Sequence, residues 1–276
     1  MSTPSSTNTA MADVEAGKVA QPFTSRAVTY LQSQIDSKKC NAVSIYACFL
    51  TGFTSAVSFS ACYIWCGFQT GNVAQLGIAV ARNFDPIPER TYEFMKPDQQ
   101  AFCSLLAFLL GTTLGRVGDM IGAKRRTWLV VSSFIQVLMA MAGALCAHYS
   151  GESSYAVSRG EPSWRTPLGM AALAFISSSM GLQGIIGKRV ASPMNTTVVL
   201  TTTWVEIFND PLLFAFKKVP SRDIRVQGVV FLILGSFVSR AIMGKIGSAG
   251  TLGVLCGFRL LQTLWWALTP SVDDAA

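Results

Sequence analysis

Forty-two consecutive residues, 40–81, contain no Asp, Glu, Lys, Arg or His. Drawn as one helix they would extend about 63 Å at 1.5 Å per residue, roughly twice the hydrocarbon core of a bilayer. No single straight span fits. The segment Gly67-Phe68-Gln69-Thr70-Gly71-Asn72 supplies a break. The stretch therefore predicts a full crossing over residues 43–66, a polar glycine-containing joint, and a second, shorter helix starting near Thr70. Irregular backbone is tolerated at membrane depth only where protein or a water-filled cavity surrounds it, which makes the joint the first candidate functional site.

The rest of the chain has the same character. Half of its 276 residues are hydrophobic and 13% are charged, against about 25% charged in an average soluble domain. That is too little polar surface to cover a soluble globule. Further uncharged windows run over residues 99–115, 127–151, 166–187, 190–205 and 226–239, and residues 246–272 are interrupted by Arg259 alone. The pattern predicts an all-α membrane protein, a polytopic helical bundle of apolar segments of which two are short. The formal net charge of +7 sits in clusters between those segments: Lys38-Lys39, Lys124-Arg125-Arg126, Lys188-Arg189, and Lys217-Lys218 with Arg222 and Arg225. Such clusters orient membrane proteins. No Lys/Arg stripe with interleaved aromatics speaks for nucleic acid.

Seven cysteines (Cys40, Cys48, Cys62, Cys66, Cys103, Cys146, Cys256) fall in or beside apolar segments and read as small hydrophobes packed against helices. Cys62 and Cys66 are one helical turn apart, but no histidine or further thiol completes a metal set. No metal and no cofactor is expected. Residues 1–25, rich in Ser, Thr and Ala, lack the apolar core of a signal peptide and the Arg-rich pattern of a transit peptide; they read as a disordered tail. Residues 40–270 then form a single transmembrane domain, followed by a short C-terminal tail at 271–276.

A shift of about 124 residues lays Leu109-Leu110-Gly111-Thr112 and Arg116 over Ile233-Leu234-Gly235-Ser236 and Arg240. A nearby shift lays Gly52 close to Gly181, and Thr70-Gly71-Asn72 close to Thr201-Thr202-Thr203. Each half, residues 40–150 and 166–270, then reads long helix, short polar-headed helix, glycine-containing helix, long helix. Such duplication is common among transporters. If the short helices turn back without crossing, each half crosses three times and the halves are inverted. A cytoplasmic N-terminus then leaves 14 Lys and Arg inside and 7 outside. If both short helices cross, the same cytoplasmic N-terminus leaves 13 inside and 8 outside. The positive-inside rule favours six full crossings plus two short polar-headed helices.

Three groups of residues are candidates for function. Thr70, Gly71, Asn72 and Gln75 head the first short helix, where free N–H groups and the positive dipole end favour an anion or a substrate carboxylate. As ordinary structure, the same Thr and Asn cap the helix and bond to a neighbouring one. From the other half, Asn195-Thr196-Thr197 and Thr201, Thr202 and Thr203 would line the same cavity. Glu206 follows 16 uncharged residues and is the best candidate for proton coupling, because an acid at membrane depth is costly unless paired; its plain reading is the end of a short helix among headgroups. Arg259 would pair with Glu206 or bind an anionic substrate. Arg116 and Arg240 occupy matched places, with snorkelling to the interface as their plain reading. The glycine pairs 67/71, 111/115, 118/122 and 253/257 are helix-packing signals.

Two resemblances add to this. Gly115-x-x-x-Asp119-x-x-Gly122-x-Lys124-Arg125 is similar to the loop motif of major-facilitator transporters, which implies a latch on the cytoplasmic side. Gly52-Phe53-Thr54-Ser55-Ala56, Gly67-Phe68-Gln69-Thr70-Gly71-Asn72-Val73, Phe108-Leu109-Leu110-Gly111 and Met180-Gly181-Leu182-Gln183, in this order and spacing, resemble the YoaK-like family of multi-pass membrane proteins, a domain-of-unknown-function family with bacterial and fungal members. The likeness covers residues 40–270 and implies fold and membrane location without an activity. The family often has an Asp where Ser55 stands; if that Asp couples ions in relatives, the resemblance implies that the role is lost here or moved to Glu206.

The expectation is a transporter or permease-like protein for a small polar or anionic solute, with the lipid bilayer as its other partner. The alternative is a non-transporting membrane scaffold or assembly factor. No Ser/His/Asp set, paired metal ligands, Walker loop or dinucleotide fingerprint supports an enzyme, and nothing points to a particular oligomer.

Overall fold

The computed structural model describes residues 23–272 except Pro193, Asn195 and Phe216, with side chains from residue 28 onward. Most of the expected tails, together with Asn195 of the second polar segment, lie outside the described residues. The tails are nevertheless shorter than expected. Helix α1 (Phe23–Gln32) already begins at Phe23, and the Val272 N–H donates to the Gln34 carbonyl at 2.9 Å. The reason is a knot on one face of the bundle: the buried Arg126 guanidinium donates to Tyr30 O and Thr269 O at 2.8 and 2.7 Å, tying both ends of the chain to one side chain.

Five helical segments are long and apolar enough to cross a membrane. They are α2 (Asn41–Cys62), α4 (Lys96–Thr113) continued by α5 (Gly115–Ile121), α6 (Arg126–Tyr149), α7 (Pro167–Val190) and α9 (Pro220–Leu268). Two short helices, α3 (Gln69–Ala81) and α8 (Thr201–Phe208), complete the set among the described residues. No β-strand occurs among those residues beyond two isolated bridges, Gln34 with Arg125 and Ile35 with Ser271.

The 49 residues of α9 would make a rod of about 74 Å, more than twice the bilayer core. The chain instead reverses at Gly247, whose φ of 71° and ψ of −179° belong to a region reserved almost wholly for glycine. Its contacts reveal the reversal. Gly235, before the turn, abuts the Phe49 backbone, and Phe258, beyond it, meets the Phe49 ring edge-on at 5.4 Å. With two arms, 220–246 and 248–268, the bundle has six long apolar rods and two short helices.

Polarity is distributed as in a membrane protein. Leu110, Leu138, Phe237 and Leu264, all within long helices, are 55–70% exposed on the outside, a belt of apolar surface that soluble monomers do not carry. Thr51, Ser55, Gln100, Gln136, Gln183, Arg259 and Gln262 are buried inside, where polar side chains bond helices together.

Close backbone crossings organise the core, and they come in matched pairs. A methyl group on Gly52 of α2 would stand 2.0 Å from the Leu232 carbonyl oxygen and 2.9 Å from Ser236 Oγ. One on Gly181 of α7 would stand 2.1 Å from the Phe108 oxygen and 2.9 Å from Thr112 Oγ1. The facing glycines answer them: Gly235 meets the Phe49 oxygen, and Gly111 the Ser178 oxygen, each at 2.0 Å. Helix α2 thus lies on the first arm of α9 as α7 lies on α4, through the residues that the sequence shift overlays. Not every small-residue pair behaves so. Gly253 and Gly257 have nothing within 4 Å of a would-be Cβ; the seam expected there is absent because that side of the second arm faces outward.

Candidate functional site

Each short helix begins where a long one ends in left-handed backbone. Tyr63 closes α2 at φ 57° and Ala191 closes α7 at φ 52°. From Tyr63 the chain doubles back along α2: Trp65 stacks on Phe59 at 4.1 Å, the Cys66 N–H reaches Ser58 Oγ at 3.4 Å, and Gly67 comes up against Ser55. From Ala191 it doubles back along α7 and α2. Ser44 donates to Ser192 at 3.0 Å, Thr51 donates to the Thr197 carbonyl at 2.6 Å, and Val198 packs over Gly184. Both joints dip to the middle of the bundle and meet there. A methyl on Gly67 would lie 3.2 Å from Val198 and 3.3 Å from Met180. Each short helix then runs outward to the face from which its joint entered: the end of α3 returns to the start of α4 through the Arg82–Asp98 ion pair, and α8 returns to the start of α9 through Arg225 and Glu206 at 2.9 Å.

The head of α3 is engaged with its own surroundings. Asn72 is buried, and its amide donates to Trp65 O at 3.0 Å and Gln69 Oε1 at 2.8 Å. Gln69 donates to Cys66 O and to Ser104 Oγ, which shares a 2.9 Å hydrogen bond with Ser177. Thr70 and Gly71 are exposed, and Gln75 comes within 3.5 Å of the Arg159 guanidinium. The head of α8 differs. Thr202 and Thr203, with Thr196, Val198 and Val199 of the joint, line a cavity of about 440 Å³ against Phe108 and Thr112 of α4 and Gly181, Gly184 and Ile185 of α7. Lys188 and Glu206 also line it. Thr201 is exposed. The cavity takes no residue from α3, so the two polar heads share a meeting point at Gly67 and Val198 but not this cavity.

The charged candidates also separate. Glu206 pairs with Arg225, not with Arg259. Arg259 is fully buried, and its Nη1 donates to Gln136 Oε1 at 2.6 Å and Gln262 Oε1 at 3.1 Å. Arg116 is exposed, whereas its counterpart Arg240 lies 4.2 Å over the Tyr155 ring and donates to its hydroxyl at 2.8 Å. In the loop resembling the major-facilitator motif, Asp119 accepts both arms of Arg189 at 2.8 Å and Gly122 turns at φ 117°. Sequence reasoning missed Lys188, Arg225, Gln136 and Gln262. The signal for the two glutamines was present: a lone carboxamide inside an uncharged window is expensive in lipid and needs an interior partner.

On the face opposite the chain ends, Glu152 caps α7. It accepts from the N–H groups of Arg165 and Thr166 at 2.6 and 2.8 Å and from the Thr166 hydroxyl at 2.6 Å. Burial pushes its carboxyl up, but these hydrogen bonds outweigh burial and hold it below its ordinary value.

A family described as "Protein of unknown function (DUF1275)" matches residues 43–265, from the third residue of α2 to near the end of α9. The chain belongs to the DUF1275 family. The YoaK-like resemblance agrees with this membership, and the match takes in both joints and both short helices of this DUF1275 protein. No curated protein and no solved structure matches it significantly.

Proposed function

We propose that this DUF1275 protein is a permease-like transporter of a small polar or anionic solute, with a cytoplasmic N-terminus and two inverted copies of one ancestral unit. The reading rests above all on the two joints. Each carries irregular backbone to mid-depth and starts a short helix there, as at the substrate sites of transporters with broken helices. The matched glycine crossings support the duplication. The 440 Å³ cavity at the head of α8 is of the size of a small-molecule site, and its Thr112, Thr202 and Thr203 hydroxyls offer both donors and acceptors. Lys188 and Glu206 supply charge at its wall.

The test is solute efflux from proteoliposomes, run with small monocarboxylates and neutral polyols. At Gly184 an added Cβ would meet only ordinary contacts, the nearest at 3.7 Å, so Gly184→Ala should fold and transport. Gly184→Phe should fill the cavity and abolish efflux. Equal efflux from both variants removes the cavity from the route.

A scaffold without transport is the second reading, and the engagement of the Asn72 NH₂ group with Trp65 O and Gln69 Oε1 favours it at α3. On that reading no solute is carried, and polar substitutions at either short helix alter stability alone.

A further inference from the structure

Arg259 stands near the middle of the second arm of α9 and is fully buried, yet none of the ion pairs among the described residues includes it. Its neighbours are neutral: the two glutamine oxygens at Nη1 and the Met180 sulfur, 3.7 Å from Nη2. Its Nε has no partner. An unbalanced cation at this depth is costly, and such residues mark ion paths or ligand counter-charges.

The guanidinium also polarises what surrounds it. Arginine has donors only, so Gln136 and Gln262 must turn their oxygens toward it and their NH₂ groups away. Both glutamines line a small pocket of about 10 Å³, together with Ser133, Gln183, Thr197 and Trp266. Among these lining groups the Trp266 indole N–H and the Ser133 and Thr197 hydroxyls are buried without a partner. The other orphan, Gln183 Oε1, is an acceptor, while the Gln183 NH₂ is engaged with Ala47 O and Thr51 Oγ1. A hydroxyl can donate as well as accept, so three donors can be turned toward a space for about one water-sized particle, beside the one acceptor-only orphan, Gln183 Oε1.

We propose that this pocket binds a small monovalent anion, a halide of the size of fluoride or chloride, held by neutral donors with the Arg259 charge directly behind them. The volume is too small for a carboxylate or a phosphate. The same charge repels cations. The inference rests on the membrane reading and not on transport; it concerns binding, which a flux assay does not read.

Purified protein is melted in sodium fluoride, sodium chloride and sodium gluconate at equal ionic strength. A saturable rise in Tm with fluoride or chloride, absent with gluconate, is expected. Trp266→Phe removes one donor and should raise the halide concentration at half-effect about tenfold, one charge-assisted hydrogen bond. Arg259→Met should abolish the response. Should Arg259→Met fail to fold, the wild-type comparison and Trp266→Phe still decide. Identical wild-type melting in all three salts, as for a pocket that holds water alone, overturns the proposal. So does a halide response that Trp266→Phe leaves unchanged.

Discussion

The glycine crossing between α2 and the first arm of α9 yields a number. In Gly52→Ala the new methyl group would stand 2.0 Å from the Leu232 carbonyl oxygen, where ordinary contact begins at 3.4 Å. Both sides of the contact are helix backbone, so no side chain can swing aside, and the helices must part by about 1.4 Å. A radial gap of about 1 Å already forfeits up to half of a dispersion well, and 78% of the most apolar window of α2 is buried inside the protein. The hydrogen bond from Ser236 Oγ to Gly52 O, 3.2 Å long, stretches at the same time and contributes about 1 kcal/mol. Overpacking and the lost bond together destabilise by about 3 kcal/mol, a fall in Tm of about 10 °C for a chain of this size. All seven cysteines are free and five are buried, so a thiol-reactive dye reads the melting directly. Gly181→Ala should fall as far. Gly77→Ala and Gly257→Ala, each with nothing within 4 Å of the new Cβ, should instead gain up to about 1 kcal/mol of helix propensity. Wild-type melting of Gly52→Ala, or an equal fall in Gly257→Ala, would refute the reasoning.

Three further outcomes are expected. Gly247→Ala forces a Cβ into glycine-only backbone, 2.9 Å from Ser154 Oγ, and should destabilise by about 1–3 kcal/mol, whereas Gly244→Ala, with its nearest neighbour at 3.9 Å, should melt close to the wild type. Glu152 has a depressed carboxyl pKa in the fold, so its contribution is complete above the ordinary value of 4.5 and fades as pH falls through the folded one; in Tm measured against pH, Glu152→Gln should be less stable at neutral pH and converge on the wild type in acid. Asn72→Ala leaves Trp65 O and Gln69 Oε1 without their donor and should lose about 1–3 kcal/mol; if it melts like the wild type yet loses solute efflux, Asn72 acts on the solute rather than on the fold.

Depth explains which parts of this architecture could be read in the chain and which could not. The bundle, the break after α2 and the short α3 and α8 follow from the lengths of uncharged windows, and the paired glycines follow from a shift that any reader of the sequence can apply. Gly247 lies just inside the last uncharged window, so α9 was legible as two crossings even though its helix is nearly continuous. The pairing of Arg259 with Glu206 fails for a reason that windows do not contain. Their separation depends on the direction α8 takes after its joint. Because the joint dips first and the helix then runs outward, Glu206 sits five residues past the head of α8, about 8 Å along its axis toward the face, level with Arg225 at the start of α9. Arg259 stays at mid-depth beside Met180, where both joints end. The turn-back that makes α8 short therefore also removes the nearest acid from Arg259 and leaves that charge with neutral amides. A Glu206→Gln substitution should accordingly leave any halide response at Arg259 intact, since the two groups belong to different depths; loss of the response on that change would mean that the acid reaches the core.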